Sequence, residues 1–191
     1  MSSPSHEAAR WERLSSRQIA TTRVLDVEGV RFHHPVRKTE KEFVVLKAPD
    51  WVNVIAVTPA NEMVLVRQFR YGMNDFSLEI PGGVMEAGED PVEAGVRELR
   101  EETGFSGTKA SLLASVHANP AIQSNRCHFV LVEGAARNHD IEWDHDEEME
   151  MKLVAVPEVL ALARAGKITH SLVVAAFMHF EGVWRSRGLA S

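Results

Sequence analysis

Three glutamates in the middle of the chain, Glu98, Glu101 and Glu102, have the residue type and the spacing that suit metal chemistry. Residues three and four apart are neighbours on a helix, so a helical segment would place all three carboxylates on one face. Like charges at this spacing repel one another, and a positively charged partner is therefore expected. Carboxylate oxygens suit hard divalent cations, and Mg²⁺ binds through a few carboxylates, water and substrate phosphates. The pattern predicts half of a metal and phosphate site, although a solvated acidic helix face would show the same charges.

The segment that must present these glutamates carries the start and stop signals of one helix. Asp90 suits the N-cap and Pro91 the first helical position. Gly104 can supply the left-handed residue that ends a helix. The sequence thus predicts a helix over residues 91–103. Its apolar residues would lie on the face opposite the glutamates: Val92, Val96 and Leu99.

The spacing of the fixed residues around this helix resembles a known motif. Gly83, Glu89, the run from Arg97 to Glu102, and Gly104 match every fixed position of the Nudix box, and the chain is identified as a member of the Nudix hydrolase superfamily. The resemblance implies a loop, helix and loop that hold Mg²⁺, or alternatively Mn²⁺, against a diphosphate. It implies these metal ligands: the carbonyl of Gly82 and the carboxylates of Glu98, Glu101 and Glu102, with Glu89 completing or supporting the site. Arg97 would hold the carboxylates by ion pairing, and Gly83 and Gly104 would be structural.

Composition narrows the class of protein. The net charge of −6 and the lack of lysine and arginine clusters argue against a nucleic-acid binder. No apolar run is long enough to span a membrane, and residues 1–20 lack the apolar stretch of a signal peptide. The single cysteine, Cys127, excludes an internal disulfide and suits a reducing compartment. We expect a cytoplasmic protein that binds a small molecule and neither a nucleic acid nor a membrane.

The order of the expected elements predicts an α/β fold. Val-rich segments at 23–32 and 42–47 predict two strands joined by a turn, and residues 9–19 suit a short helix or an extended arm. Pro49 and Asp50 mark the expected boundary between an N-terminal antiparallel β arm, 1–48, and a hydrolase domain, 49–191. The other predicted elements are strands at 52–58, 63–69, 76–80, 111–118 and 126–133 and helices at 157–165 and 171–184. This order is similar to the Nudix α/β/α sandwich with a mixed central sheet.

Segments outside the box resemble one branch of the superfamily, the ADP-ribose pyrophosphatases and nucleoside diphosphate-sugar hydrolases. The resemblance is carried by residues 66–71 ahead of the segment 78–83, and by Pro120 beyond the box. It implies a homodimer in which the N-terminal arms are exchanged and both subunits build the substrate site. The alternative is an arm that packs as a simple sheet extension on its own domain.

Two arginines are candidates for the clamp on the substrate phosphates. A guanidinium can hold two phosphate oxygens at once, and the branch has an arginine at the position of Arg70, while Arg67 is the other candidate. Side chains alternate along a strand, so Arg67 and Arg70 would point to opposite faces. The loop 119–126 is expected to contact the sugar or base through Gln123, Asn125 and Arg126. Because this loop lacks the acidic residue that often follows the proline in the branch, ADP-ribose, ADP-sugars and GDP-sugars are all candidate substrates.

The general base is expected in the acidic segment 144–150, where Glu147 matches the branch best and Glu148 second, while Glu101 of the box is the alternative. The resemblance thus implies a metal-dependent pyrophosphohydrolase that cleaves a nucleoside diphosphate derivative into a nucleoside monophosphate and a phosphorylated remainder. The alternatives are a Nudix-fold ligand sensor that has lost the chemistry and a nucleoside triphosphate pyrophosphatase. The complete set of box glutamates and the segments outside the box favour the first function.

Overall fold

A computed structural model of the chain describes residues 8–143 and 148–186. Its strands are β1 (Glu12–Thr21), β2 (Asp26–His34), β3 (Thr39–Lys47), β4 (Trp51–Val57), β5 (Glu62–Arg70), β6 (Asp75–Glu79), β7 (Gly82–Val84), β8 (Phe105–Ser106), β9 (Lys109–His117), β10 (Arg126–Glu133), β11 (Ala136–Arg137) and β12 (Met149–Ala155). Its helices are α1 (Pro91–Thr103), α2 (Val156–Arg164) and α3 (Ser171–Ser186). Among the described residues, no helix has the length and apolar character needed to cross a membrane.

The chain forms two compact units. The first comprises Met1–Ala48 together with His117–Asn125, and the second comprises Pro49–Val116 together with Arg126–Ser191. The loop that begins at His117 joins the first unit through strand β3, since the Leu46 amide donates to the Ile122 carbonyl at 2.8 Å and the Ser124 amide donates to the Leu46 carbonyl at 3.0 Å. The two units divide between Ala48 and Pro49, where the sequence predicts the domain boundary. The first unit also includes the loop His117–Asn125, which the prediction had put in the second domain.

The first unit is built on a three-stranded antiparallel sheet in the order β1, β2, β3. The two predicted strands are present as β2 and β3, and the polar turn between them is shorter than predicted. For residues 9–19 the extended alternative is the correct one, because β1 runs along β2 over ten residues. All ten residues of β1 are exposed, which makes this strand an edge with little packing of its own.

The second unit contains a seven-stranded mixed sheet with helices on both faces. The strands follow the order β12, β5, β4, β10, β9, with β6 paired to β5 and β7 paired to β4. Strands β4 and β10 are parallel, whereas β5 pairs antiparallel with β6 and with β12. Helix α1 covers one face through Ala94 and Leu99, and Phe129 on the other face lies 5.9 Å from the His179 ring of α3. The predicted mixed sheet between helices is confirmed.

Helix α1 lies on the core of the second unit through a continuous apolar cluster. Its own contribution is Ala94 and Leu99, which are fully buried. The rest of the cluster comes from the sheet and the segments beside the helix: Val52, Val54, Ala56, Val64, Met85, Phe105, Val130, Val132 and Ala135. Because β-strand side chains alternate, the valines of β4 that face α1 are separated by residues facing α3. This packing fixes the helix that carries the glutamates against the middle of the sheet.

Candidate active site

The helix that presents the glutamates is capped at both ends as predicted. The Asp90 carboxylate accepts hydrogen bonds from the amides of Val92 at 2.8 Å and Glu93 at 3.3 Å, and Pro91 occupies the first turn. Gly104 has φ of 72° and donates its amide to the Arg100 carbonyl at 2.8 Å. These local interactions define residues 91–103 as the helix, in agreement with the prediction.

The orientation of this helix differs from the prediction in one respect. Leu99 is buried as predicted, but Val96 is 36% exposed, whereas Glu102 is only 3% exposed. The face that packs on the sheet therefore overlaps the glutamate face instead of opposing it. The reason lies in the neighbouring strand β7, where two glycines leave room for carboxylates to turn inward.

Those two glycines are required by close approaches on either side. A Cβ atom on Gly83 would lie 2.6 Å from the Glu98 carboxylate, and one on Gly82 would lie 2.2 Å from the Val52 carbonyl oxygen. The Gly82 amide also donates to Oε2 of Glu102 at 3.0 Å, across twenty residues of sequence. The glycine pair thus accommodates Glu98 and orients Glu102, which places two of the predicted metal ligands at the same edge.

Arg97 connects three of the predicted acidic residues. Its Nε donates to Glu89 at 2.9 Å, and its Nη1 donates to Glu98 at 2.8 Å and to Glu101 at 3.1 Å. Hydrogen bonds, first with Glu89 and then with Glu98 and Glu101, together with the charge of Glu98, raise the pKa of Arg97 well above its usual range. The same hydrogen bonds hold the pKa of Glu89 below its usual value. The expectation that Arg97 holds the carboxylates in place matches this geometry.

The carboxylates fit a hard divalent cation in chemistry and position. They supply only oxygen atoms, Glu98 and Glu101 keep part of their surface accessible, and the space beside Glu98 exists because residue 83 lacks a side chain. Within residues 8–143 and 148–186, no three acidic, histidine or cysteine side chains are already arranged to hold a metal ion. Arg97 donates hydrogen bonds to Glu89, Glu98 and Glu101, so a cation at these carboxylates would share or displace these contacts.

The two predicted clamp arginines point to different faces of β5, as the alternation of side chains predicted. Arg70 donates two hydrogen bonds to Glu79, at 2.9 and 2.6 Å. Arg67 stacks over the Phe76 ring at 3.9 Å and pairs with Glu150 at 3.3 Å. The Glu79 side chain is 3% exposed and that of Arg70 is 42% exposed. Arg70 is thus held from behind by a buried carboxylate while part of its guanidinium remains accessible.

Glu79 is a site residue that sequence reasoning did not assign. Burial raises the pKa of Glu79, but the hydrogen bonds and the charge of Arg70 outweigh this effect and hold the pKa below its usual value. His170 lies near the same pair, and burial lowers its pKa, an effect that Glu79 opposes and Arg70 reinforces. The Nδ1 atom of His170 is buried without a hydrogen-bond partner among the described atoms. A charged residue between Leu78 and Ile80 in an apolar strand was the available signal.

The predicted contacts of the 119–126 loop fall in different units. Gln123 and Asn125 belong to the first unit, and Asn125 is 2% exposed. Arg126 opens β10 in the second unit, where its amide donates to Asp50 at 2.7 Å and its side chain is exposed. Asp50 also contacts His128 at 3.3 Å, which fixes the start of β10. The accessible side chain of Arg126 is compatible with the predicted substrate contact, which stays a prediction.

Of the residues predicted as general base, Glu147 lies outside the described residues. Glu148 is exposed and directly precedes β12. The described segment before residue 144 is attached to α1, because the indole N–H of Trp143 donates to the Glu102 carbonyl at 2.8 Å and the Glu142 amide donates to the Glu101 carbonyl at 2.9 Å. Glu101, the third candidate, is bound by Arg97.

Comparison with known proteins defines the class to which this fold and site belong. A family model described as the NUDIX domain matches residues 47–177, and the chain belongs to the Nudix family. Nudix hydrolases generally depend on a divalent metal. The predicted Nudix hydrolase class and its fold are therefore confirmed.

Individual relatives cover nearly the whole chain. The chain is 28% identical to the ADP-ribose pyrophosphatase of Bacillus subtilis over 169 residues, which are 88% of this chain and 91% of the relative. It is 29% identical, over the same length and shares, to the methanol dehydrogenase activator of Bacillus methanolicus. A crystal structure described as an ADP compounds hydrolase superimposes with a TM-score of 0.85 at 19% identity, covering 96% of this chain and all of that one. The last likeness concerns the fold alone, and the first agrees with the predicted diphosphate-cleaving enzyme.

Proposed function

We propose that the protein is a Mg²⁺-dependent pyrophosphohydrolase that cleaves the diphosphate of ADP-ribose or a related nucleoside diphosphate-sugar. The products would be a nucleoside monophosphate and a phosphorylated remainder. The observation that carries this proposal is the complete carboxylate set gathered at one edge, where Arg97 holds three glutamates and the Gly82 amide orients Glu102. The ADP-ribose pyrophosphatase of Bacillus subtilis, similar over nearly the whole chain, supports the substrate class.

The residues that would hold the metal are Glu98, Glu101, Glu102 and the Gly82 carbonyl, with Glu89 supporting them. A bound divalent cation supplies charge neutralisation for the diphosphate and lowers the pKa of bound water; Mn²⁺ is the alternative ion. Arg97 holds Glu89, Glu98 and Glu101 in a fixed arrangement by forming ion pairs with all three. Of these carboxylates, Glu89 has its pKa held below the usual value by its hydrogen bonds with Arg97, which favours its ionised form.

The phosphate group would be held by Arg70, whose guanidinium is anchored by Glu79 and still 42% exposed. A fixed guanidinium loses little conformational freedom when it binds phosphate, which favours binding. Proton removal from the attacking water would fall to Glu147, Glu148 or Glu101. Gln123, Asn125 and Arg126 would contact the sugar or base.

Two alternatives are weaker. A ligand sensor would not need the full set of carboxylates, and a triphosphate pyrophosphatase is disfavoured by the resemblance outside the box. The methanol dehydrogenase activator, similar to the same extent as the ADP-ribose enzyme, introduces activation of another enzyme as a further possibility.

The experiment is a substrate panel assayed with Mg²⁺, with Mn²⁺ and with EDTA. It includes ADP-ribose, ADP-glucose, GDP-mannose, NADH, a dinucleoside polyphosphate and deoxynucleoside triphosphates. We expect metal-dependent release of a nucleoside monophosphate, and Glu102→Gln should reduce it by at least about 100-fold because it removes a charged oxygen ligand. Glu93→Gln, an exposed glutamate on the same helix, is the matched control and should retain activity. Turnover that persists in Glu102→Gln would contradict the proposal.

We further propose that the protein is a homodimer and that it resides in the cytoplasm. The exposed edge of β1 supports the dimer, because an unpaired strand edge is a ready surface for another chain. The single cysteine, Cys127, supports a reducing compartment such as the cytoplasm. Burial, and secondarily the charge of Asp50, raises the pKa of the Cys127 thiol to about 12, which keeps it protonated and unreactive.

A further inference from the structure

Three polar side chains that the proposed diphosphate site does not use are in contact near the start of strands β4 and β10. The Ser115 hydroxyl on β9 lies 2.7 Å from Nδ1 of His128 on β10. The other ring nitrogen of His128, Nε2, lies 3.3 Å from Oδ2 of Asp50, the residue just before β4. All three residues belong to the second unit. They form a continuous chain from a hydroxyl through an imidazole to a carboxylate.

The chemistry of the end groups sets the direction of both hydrogen bonds. An ionised carboxylate can only accept, so Nε2 of His128 carries the ring proton and donates it to Asp50. In the neutral ring Nδ1 is then an acceptor, and the Ser115 hydroxyl donates to it. Asp50 thus holds the ring in the tautomer that can take a proton from the serine. This combination of groups activates a serine for nucleophilic attack.

The exposure of the three side chains suits a nucleophile and a shielded base. The His128 side chain is 12% exposed and that of Asp50 is 41% exposed, while Ser115 is half-buried and so remains accessible to a small molecule. The orientation of Asp50 is fixed by two further contacts. Its Oδ1 accepts the Arg126 amide at 2.7 Å, and its main-chain carbonyl accepts the Met85 amide at 2.9 Å. The group that orients the base is therefore held in place by the surrounding backbone.

The strand that carries Ser115 also offers a main-chain donor. Among the described strands of the seven-stranded sheet, β9 lies at one end of the order and has β10 as its neighbour on one side. The Ala118 amide, one residue beyond β9, donates toward the β10 side, to the Asn125 carbonyl at 3.4 Å. Because amides alternate between the two sides of a strand, the Ser115 amide points to the open edge. An amide beside the nucleophile can stabilise the negative oxygen that develops during acyl transfer.

We infer that Ser115, His128 and Asp50 form a second catalytic site, which hydrolyses small carboxylic esters through an acyl-serine. The Ser115 oxygen attacks the ester carbonyl carbon while its proton moves to Nδ1 of His128. The bond from this carbon to the alcohol oxygen then breaks, and the alcohol leaves with that proton. Asp50 remains ionised and stabilises the imidazolium that forms between the two events.

The second half of the reaction uses water in place of the serine. His128 takes a proton from the water, the resulting hydroxide attacks the acyl carbon, and Ser115 leaves with the proton as the free hydroxyl. The net change is an ester and water converted to a carboxylic acid and an alcohol. These steps involve none of the glutamates of helix α1, so the inference does not depend on the proposed function.

The nucleophile is tested with a fluorophosphonate, a reagent that forms a covalent bond with activated serines. We expect the folded wild-type protein, in EDTA, to be labelled at Ser115, as read by mass spectrometry of its peptides. Ser115→Ala should remove this label. Ser111→Ala, which changes another half-buried serine of β9, is the matched control and should keep it. A wild-type protein that is not labelled at Ser115 would overturn the inference, whether or not the variants fold.

The base is tested by hydrolysis of p-nitrophenyl acetate in EDTA. His128→Gln should lower kcat/KM about 100-fold, because a general base contributes at least this factor, and Ser115→Ala should lower it to a similar extent. Equal ester hydrolysis in Ser115→Ala and the wild type would contradict the second site. Metal-dependent hydrolysis of the diphosphate substrates should be unchanged in Ser115→Ala. If the wild type cleaves none of those substrates, the proposed function fails, whereas the labelling of Ser115 still decides the ester site.

Discussion

A single arginine explains how three acidic residues coexist on one short segment. Glu98 and Glu101 lie within one helical turn of each other and Glu89 approaches from the preceding loop, an arrangement that repulsion would disfavour. Arg97 contacts all three at 2.8–3.1 Å with 25% of its side chain exposed. The positive charge that the sequence led us to expect is therefore partly supplied by the protein itself. A metal would compete with Arg97 for these oxygens, which links metal affinity to the position of this residue.

A prediction at the residue scale concerns Glu79. In Glu79→Gln the shape is kept but the charge is lost, so Arg70 loses its bidentate partner and its fixed position. We expect kcat/KM for the diphosphate substrate to fall by on the order of tenfold or more, mainly through a higher KM. The reason is that Arg70 must then become ordered when phosphate binds, which costs free energy. Steady-state kinetics measures this effect.

The control for Glu79 also separates the two clamp candidates. Glu150→Gln breaks the exposed pair with Arg67, and exposed ion pairs contribute little. If Arg70 is the clamp, Glu150→Gln should leave kcat/KM within about twofold of the wild type. The reverse ranking of the two variants would assign the clamp to Arg67.

The buried neighbour His170 predicts a pH dependence of stability. Burial lowers its pKa below the usual 6.5, with Glu79 opposing and Arg70 reinforcing the effect. Below that pH the unfolded chain binds a proton at this residue that the folded protein does not, so the free energy of unfolding should decrease as the pH falls through about 6.5. His170→Asn should flatten the urea-unfolding curve against pH between about 5 and 7, the range next to the ordinary histidine pKa.

The matched control is His139→Asn, an exposed histidine of the same unit. This variant should keep the wild-type slope of unfolding free energy against pH. At lower pH a further loss of stability is expected in all variants that retain Glu79, because its pKa is held below the usual 4.5 and protonation breaks the pair with Arg70. If His170→Asn leaves this slope unchanged, the pKa of His170 does not differ between the folded and the unfolded protein, and the prediction is wrong.

At the scale of elements, helix α1 was predictable because its signals are local. Asp90, Pro91 and Gly104 act within one turn of the helix ends, and the structure has the helix at the residues predicted. The sequence did not decide between a helix and an extended arm for the segment of β1. Its residues, such as Arg13, Ser16 and Arg17, show no alternation of polar and apolar types, and its extended conformation comes from pairing with β2.

The same distinction applies to the site. The glutamates and Arg97 could be found because their spacing lies within one motif. Glu79 and Arg70 face each other across the β5 and β6 strands, and Trp143 reaches Glu102 across 41 residues. Such contacts depend on how distant segments pack, which residue spacing along the chain does not encode. The acidic helix face was also placed too far from the core, because the space created by Gly82 and Gly83 is not visible in a helical projection.

The end of α1 gives a prediction at this scale. Gly104 and Gly166 both have positive φ after a helix, 72° and 68°. At Gly104 a Cβ atom would lie 2.4 Å from the His139 carbonyl oxygen, whereas at Gly166 nothing lies within 4 Å. Gly166→Ala should cost about 1 kcal/mol for the left-handed conformation alone.

Gly104→Ala should cost at least about 1 kcal/mol more than Gly166→Ala, because the backbone at His139 must also move. Urea unfolding followed by circular dichroism measures both variants. Equal costs would show that the segment at His139 yields without strain, and would weaken the view that it is fixed to the helix.

At the scale of the whole molecule, the two units differ in how much they bury. The second unit holds the apolar cluster around β4, β10 and α1, whereas the described part of the first unit buries few side chains, such as Val30 and His34. Several apolar side chains of the first unit are exposed instead: Leu14 and Ile19 on β1, and Phe43 and Val44 on β3. An apolar sheet left open in this way favours coverage by a second copy of the chain, which is the basis of the proposed homodimer.

The last prediction tests this dimer through β1. Light scattering at micromolar concentration should give twice the chain mass of 21.3 kDa, and the double variant Leu14→Lys with Ile19→Lys should give the single mass, because two buried charges would oppose association. Val36→Lys is the control, since Val36 is 75% exposed in the turn after β2 and should leave the dimer intact. If both subunits build the substrate site, the monomeric double variant should also lose hydrolysis. If the wild-type protein has the mass of one chain, the homodimer proposal is wrong. If the monomeric double variant is fully active, the whole substrate site lies within one chain.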